Sequence, residues 1–162
     1  MMAYEQLEYQ VTKKEDNIET RVYAPFVMMK TKNRSYGAFQ TLFSYISGYN
    51  EKKEKISMTV PVLSDVDEQD YLAFTMPKEN VTKGYPKALD PSIEIIEVPQ
   101  KIYLAIRFIG SQQKAKKHVE VLMNYAQSHG IEVKSEPVLL RYQGPMVPPI
   151  LRKHDVMLEV NI

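Results

Sequence analysis

The sequence predicts an α+β fold in which two copies of one unit, related by a pseudo-twofold axis, build a largely antiparallel, curved sheet. Three observations predict it. Two stretches carry apolar residues at helical spacing, a β-rich run opening with Ile-Glu and broken by a proline precedes each of them, and a Pro-Val-Leu segment follows each. One helix per four strands is too few to cover a doubly wound parallel sheet, so antiparallel pairing is expected. The repeat, roughly 75–80 residues between matched positions, is too long for a solenoid and points to tandem duplication.

The elements follow in order. The first β-rich run is Ile18–Lys30, IETRVYAPFVMMK, a hairpin-like element. Phe39, Leu42, Phe43 and Ile46 then fall at i, i+3, i+4 and i+7, with Ser35 as N-cap and Gly48 as the residue past the C-cap. Pro61–Leu63 and the run from Tyr71, YLAFTMP, supply two more strands. Lys78–Pro91, rich in Pro, Gly and Lys, reads as the surface crossover between the halves. The pattern then repeats in Ile93–Phe108, in a helix with Val119, Leu122, Met123 and Ala126 on its stripe and Gly130 at its end, and in strands at Pro137–Leu139 and from Asp155. Packing the two uncovered sheet faces against each other buries both in one core.

A chain of 162 residues with 44% hydrophobic content suits one globular domain, 1–162, with internal halves at about 7–77 and 87–162. The 21 Lys+Arg against 20 Asp+Glu leave a formal charge of +1, which lacks the electrostatic footprint of a nucleic-acid binder. There is no Cys, so disulfides, thiolate metal sites and cysteine nucleophiles are excluded together. The N-terminus has neither a basic n-region nor an apolar h-region, and no run of about 18 apolar residues occurs. The expectation is a soluble, cytoplasmic protein without membrane insertion, and nothing in the chain demands more than a monomer.

Catalytic motifs are missing: no GxSxG, Walker loop, HExxH, dinucleotide fingerprint or Cys–His pair is present, and no catalytic residue is assigned. Asp65 and Asp67 stand in a polar turn. His118 adjoins the second helical stripe, and His129 ends that helix, where an imidazolium favours the dipole. The lysines of QQKAKKHVE oppose the same dipole; they read as a solvated face with Lys116 near Glu120, or else as a rim for an anion. Glu51–Lys55 is a mixed-charge loop.

Four segments together resemble the SOUL haem-binding proteins: Leu42–Val62 (LFSYISGYNEKKEKISMTVPV), Ile18–Val27 (IETRVYAPFV), Lys87–Ile95 (KALDPSIEI) and Arg141–Leu158 (RYQGPMVPPILRKHDVML). They cover nearly the whole chain in that family's order. The resemblance implies a twisted antiparallel β-barrel flanked by two α-helices and built from a duplicated half. It also implies non-covalent binding of haem or a related tetrapyrrole in a shallow hydrophobic cleft beside the first helix, as a buffer, carrier or sensor. A porphyrin is a flat apolar plate with anionic propionates on one edge, so its seat needs aromatic and thioether area with polar groups at the rim.

Carried over by position, the resemblance places Tyr36, Phe39, Gln40, Phe43 and Ser44 of the first helix and Tyr142, Pro145, Met146 and Val147 of a late loop at the ligand. Phe39 and Phe43, being on the helical stripe, are expected mainly in the core with only their edges at the ligand. The chain departs from the family at Tyr36, Ser44 and Val147, where haem-binding members carry Arg or Lys; Arg152 and Lys153 are the available substitutes, or a solvated surface pair. An iron ligand would come from His154, with Tyr142 or Met146 as weaker options. The same duplicated fold resembles the effector-binding domains of multidrug-sensing regulators and GyrI-like proteins, some of whose relatives are small-molecule hydrolases. An effector-binding module for planar or cationic compounds and a hydrolase therefore stand as alternatives.

Overall fold

The computed structural model describes residues 4–32 and 37–162. In chain order the strands are β1 (Glu5–Gln6), β2 (Tyr9–Glu15), β3 (Ile18–Tyr23), β4 (Phe26–Thr31), β5 (Thr59–Val60), β6 (Val62–Asp65), β7 (Leu72–Thr75), β8 (Ile93–Val98), β9 (Lys101–Ile109), β10 (Glu132–Val133), β11 (Val138–Arg141) and β12 (Lys153–Asn161). The helices are α1 (Ala38–Ile46), α2 (Lys78–Lys83) and α3 (Ala115–Ser128), with single 3-10 turns at Gln112–Lys114 and Pro149–Leu151. No helix among the described residues is long and apolar enough to cross a membrane. The chain divides into two compact units, Met1–Leu7 with Pro25–Pro99 and Glu8–Ala24 with Gln100–Ile162.

In the first unit the sheet runs β6-β7-β4-β8 with every pair antiparallel, and β1 pairs β5 in a short parallel ladder. α1 lies against β4 and β7. Val27, Met29, Leu42, Tyr45, Ile46, Ile56, Leu72, Phe74 and Met76 form its core. In the second unit the order is β11-β12-β9-β3-β2, again antiparallel, with β10 on the far end of β12 and α3 against β9 and β12. Leu104, Ile106, Leu122, Leu139, Val156 and Leu158 are fully buried there.

The two orders correspond term by term: β6-β7-β4-β8 matches β11-β12-β9-β3. Both α1 and α3 also end in the same motif. Tyr49 N–H donates to the Ser44 carbonyl and Gly48 N–H to Tyr45, as Ile131 N–H donates to Ala126 and Gly130 N–H to Gln127. Gly48 and Gly130 take φ of 120° and 64°, the left-handed turn expected past each helix.

Four expectations are corrected. The strands do not close: within each unit they follow an open path among the described residues, so the fold is α+β with a mostly antiparallel sheet and no barrel. Among the described residues there are three α-helices rather than two, because Lys78–Lys83 of the expected crossover forms α2 after Pro77. The Ile-Glu runs are not hairpins. Each splits at its proline, and its halves pair elsewhere: β3 with β2 and β9, β4 with β7 and β8. Pro25 and Pro99 lack the N–H a ladder needs, so the strand leaves its sheet there. Finally, α1 is capped by Gly37 at φ 87° without a side-chain bond; Ser35 lies outside the described residues.

Candidate functional site

The buried face of α1 is Ala38, Leu42, Tyr45 and Ile46, rotated from the stripe that the spacing suggests. Tyr45 takes the core position because its hydroxyl donates to the Pro86 carbonyl, so the aromatic body and the polar tip are both satisfied. Burial pushes its phenol up to about 12. Phe39 and Phe43 therefore stand on the outer face at 45% and 43% exposure, which corrects the expectation that they are mainly core. One helical turn apart, their rings lie nearly parallel at 13° with centroids 6.0 Å apart, and Phe39 meets Phe74 in an edge-to-face contact at 5.2 Å. Gln40 and Ser44 are exposed on the same helix. Tyr36 lies outside the described residues.

The loop after α1 is held by one buried side chain. Asn50 donates to the carbonyls of Tyr45 and Glu54 at 2.9 and 2.8 Å and accepts from the N–H groups of Lys52 and Glu54 at 3.2 and 3.0 Å. Much of the Leu42–Val62 signature is thus architectural. Tyr45, Asn50, Ile56 and Thr59 are buried, and Thr59 donates to the Thr75 carbonyl at 2.6 Å.

In the second unit, Tyr142 donates its hydroxyl to Asp155 Oδ2 at 2.7 Å, and its ring lies 5.1 Å from the Arg107 guanidinium and 4.7 Å from Lys153 Nζ. Burial and the Asp155 charge push the phenol far above its usual range, so Tyr142 stays a protonated donor to Asp155. Arg152 is not a free surface cation. Its Nε donates to the Val147 carbonyl at 2.7 Å and its Nη2 to Pro145 at 3.4 Å, bracing the loop that carries Pro145, Met146 and Val147. His154 is buried, with its ring stacked on Phe108 at 5.1 Å; Phe108 also stacks on His118 at 4.8 Å. At 1% exposure the His154 side chain is shielded from solvent in this structure. Among the described residues no group of three or more His, Cys, Asp or Glu is placed to hold a metal ion.

What sequence reasoning missed is the cluster around Asp155. Arg21 Nη1 reaches Asp155 Oδ2 at 2.9 Å, and Arg107 makes a fork of 2.9 and 3.1 Å to both oxygens. Arg21 also pairs with Glu19 at 2.8 Å, donates to the Tyr23 hydroxyl at 3.0 Å and lies over the Tyr9 ring at 4.4 Å. The Arg21 and Asp155 side chains are 1% and 0% exposed. Burial alone would raise the Asp155 carboxyl, but bonds from Arg107, Arg21 and Tyr142 outweigh it and hold the group below its ordinary value. The signal was present: Arg21, Arg107 and Asp155 stand within IETRVY, IYLAIRF and HDVMLEV, segments apolar enough to be buried, so a charge there needs a partner.

Solved structures share the fold. A hydrolase from Listeria innocua matches at 12% identity and TM-score 0.62, over 93% of this chain and 94% of that one. The EcmrR C-terminal domain matches at 9% identity and TM-score 0.62, over 94% and 98%. EcmrR in its DNA complex matches at 9% identity and TM-score 0.68, over 94% of this chain and 57% of that one. No curated protein matches. The family model described as SOUL heme-binding protein matches residues 4–159, nearly the full length over which β1 to β12 run, and the chain belongs to that family.

Proposed function

We propose that this protein binds haem or a related tetrapyrrole non-covalently, as a cytoplasmic buffer, carrier or sensor, and that the outer face of α1 seats the macrocycle. The observation that carries the reading is the exposed Phe39–Phe43 pair, whose ring planes lie within 13° of parallel. Two large apolar rings left about half in water on one helix face are costly to leave uncovered and suit a flat aromatic plate. Gln40 and Ser44 supply rim donors. Family membership supports the ligand class. With Tyr142 and His154 both engaged internally, the reading invokes no strong axial bond from either.

Hemin titration followed by the Soret band tests this. Phe39→Ala and Phe43→Ala are each expected to weaken binding by about tenfold, a loss of about 1.4 kcal/mol. A titration no different from that of a non-specific control, or one unmoved by both substitutions, overturns the reading. An effector module for cationic compounds is less well supported, because Asp155, the buried carboxylate of the second unit, already accepts from two guanidiniums and a phenol. Thermal-shift measurements with hemin and with planar cations separate the two.

A further inference from the structure

The loop between β11 and β12 carries three large apolar side chains almost fully in water: Met146 at 94%, Ile150 at 76% and Leu151 at 61% exposure. Isolated exposed apolar residues are ordinary, but three within six positions of one braced loop are not. Two further features indicate what covers them. The first is charge. From Pro137 to His154 there is no Asp or Glu, while Arg141, Arg152 and Lys153 flank the apolar tip, so the segment is cationic around a greasy centre. The second is the backbone. Pro145, Pro148 and Pro149 have no N–H; Val147, Leu151 and Arg152 spend theirs on the carbonyls of Gly144, Pro148 and Pro149; Arg152 covers the carbonyls of Val147 and Pro145. A loop whose polar backbone is largely consumed internally tolerates a low-dielectric setting, where unsatisfied donors are expensive.

From these we infer that the 144–151 loop is a peripheral docking wedge for an anionic lipid surface. Met146, Ile150 and Leu151 enter the boundary between headgroups and acyl chains, and the positive charge of a segment that contains no Asp or Glu favours an anionic surface over a neutral one. The docking is shallow, on the order of 5–10 Å, and requires no spanning segment. Prolines and the Arg152 brace hold the loop in shape beforehand, which reduces the ordering cost of binding. An anionic membrane is favoured over a second copy of the chain because an identical loop would bring like charges together.

Co-sedimentation of the full chain with mixed phosphatidylcholine–phosphatidylserine vesicles tests the inference, with phosphatidylcholine vesicles as the control. Binding to the anionic vesicles alone is expected, weakened by high salt and reduced at least about tenfold in the Ile150→Asp, Leu151→Asp double variant. Both side chains are exposed, so the variant keeps the parent's far-UV circular dichroism; Met146→Glu provides a second variant at a separate position. No sedimentation with anionic vesicles, equal sedimentation with both kinds, undiminished binding by the variants, or a loop-dependent dimer in sedimentation equilibrium each overturns it. Hemin titration of the double variant keeps this proposal separate from the tetrapyrrole reading, since neither Ile150 nor Leu151 belongs to the α1 face.

Discussion

Asp155 is the residue on which the second unit's polar interior turns. It receives three charged or phenolic donors while fully buried, so removing it leaves the buried Arg21 with Glu19 as its remaining counter-charge and takes the fork from Arg107. Asp155→Ala is expected to cost about 3–5 kcal/mol in urea unfolding. The pH dependence follows from the lowered carboxyl. The folded state binds its proton less readily than the unfolded chain, so this stabilisation is complete above the ordinary Asp value of about 4 and is lost as pH falls below it. Urea midpoints measured from neutral pH downward should show the drop in the parent and a much shallower one in Asp155→Asn. His118, which burial and the nearby Lys117 and Lys114 hold below its ordinary value, acts in the same direction at higher pH. Its contribution is present above about 6.5 and declines as pH falls through its lowered value. Residues of this kind were poorly legible beforehand. A charge in a strand announces itself in the sequence, but its partner 134 positions away does not, because pairing depends on a register that only the folded sheet sets.

At the scale of the element, α1 illustrates how far periodicity reaches. The helix, its end at Gly48 and its Schellman bonds were legible, since a left-handed residue after a 3.6-period run has a local cause. Its orientation was not. Phe39, Leu42, Phe43 and Ile46 satisfy the spacing as well as Ala38, Leu42, Tyr45 and Ile46 do, and the choice fell to the second set because Tyr45 finds an acceptor at Pro86 and Ala38 fits close to the sheet. The consequence is a sharp contrast between neighbours. Leu42→Ala should destabilise by about 2–5 kcal/mol, whereas Phe43→Ala should shift the urea midpoint little while weakening hemin binding. The loop beyond α1 has its own determinant. Asn50→Ala removes four bonds at a buried position and should cost about 1–3 kcal/mol, with hydrogen exchange rising first in the amides of Lys52 and Glu54.

For the chain as a whole, the repeat was legible but its pairing was not. Each spatial unit contains three strands of one repeat and the leading strand of the other: β8 joins β4, and β3 joins β9. The repeats signal themselves through Ile-Glu, a proline and a helix, all local features, while the exchange is a matter of which edge each strand meets after its proline. The copies have also diverged. By the matched registers Ile96 stands where the other unit has Arg21, so the ionic cluster belongs to one unit only. If the exchange governs folding, fragments separated after Gly84 should each lack a cooperative urea transition and regain one on mixing, since each loses ladder partners to the other. A cooperative transition in the 1–84 fragment alone would contradict this. The same arrangement bears on biosynthesis. Arg21 leaves the ribosome with Glu19 but long before Asp155, its buried partner, and at a translation rate of ~5–20 residues per second the 134-residue gap is roughly 7–27 s. During that interval the amino-terminal hairpin is a nascent segment awaiting its second carboxylate, and its final seating is a post-synthetic event timed by the last strand.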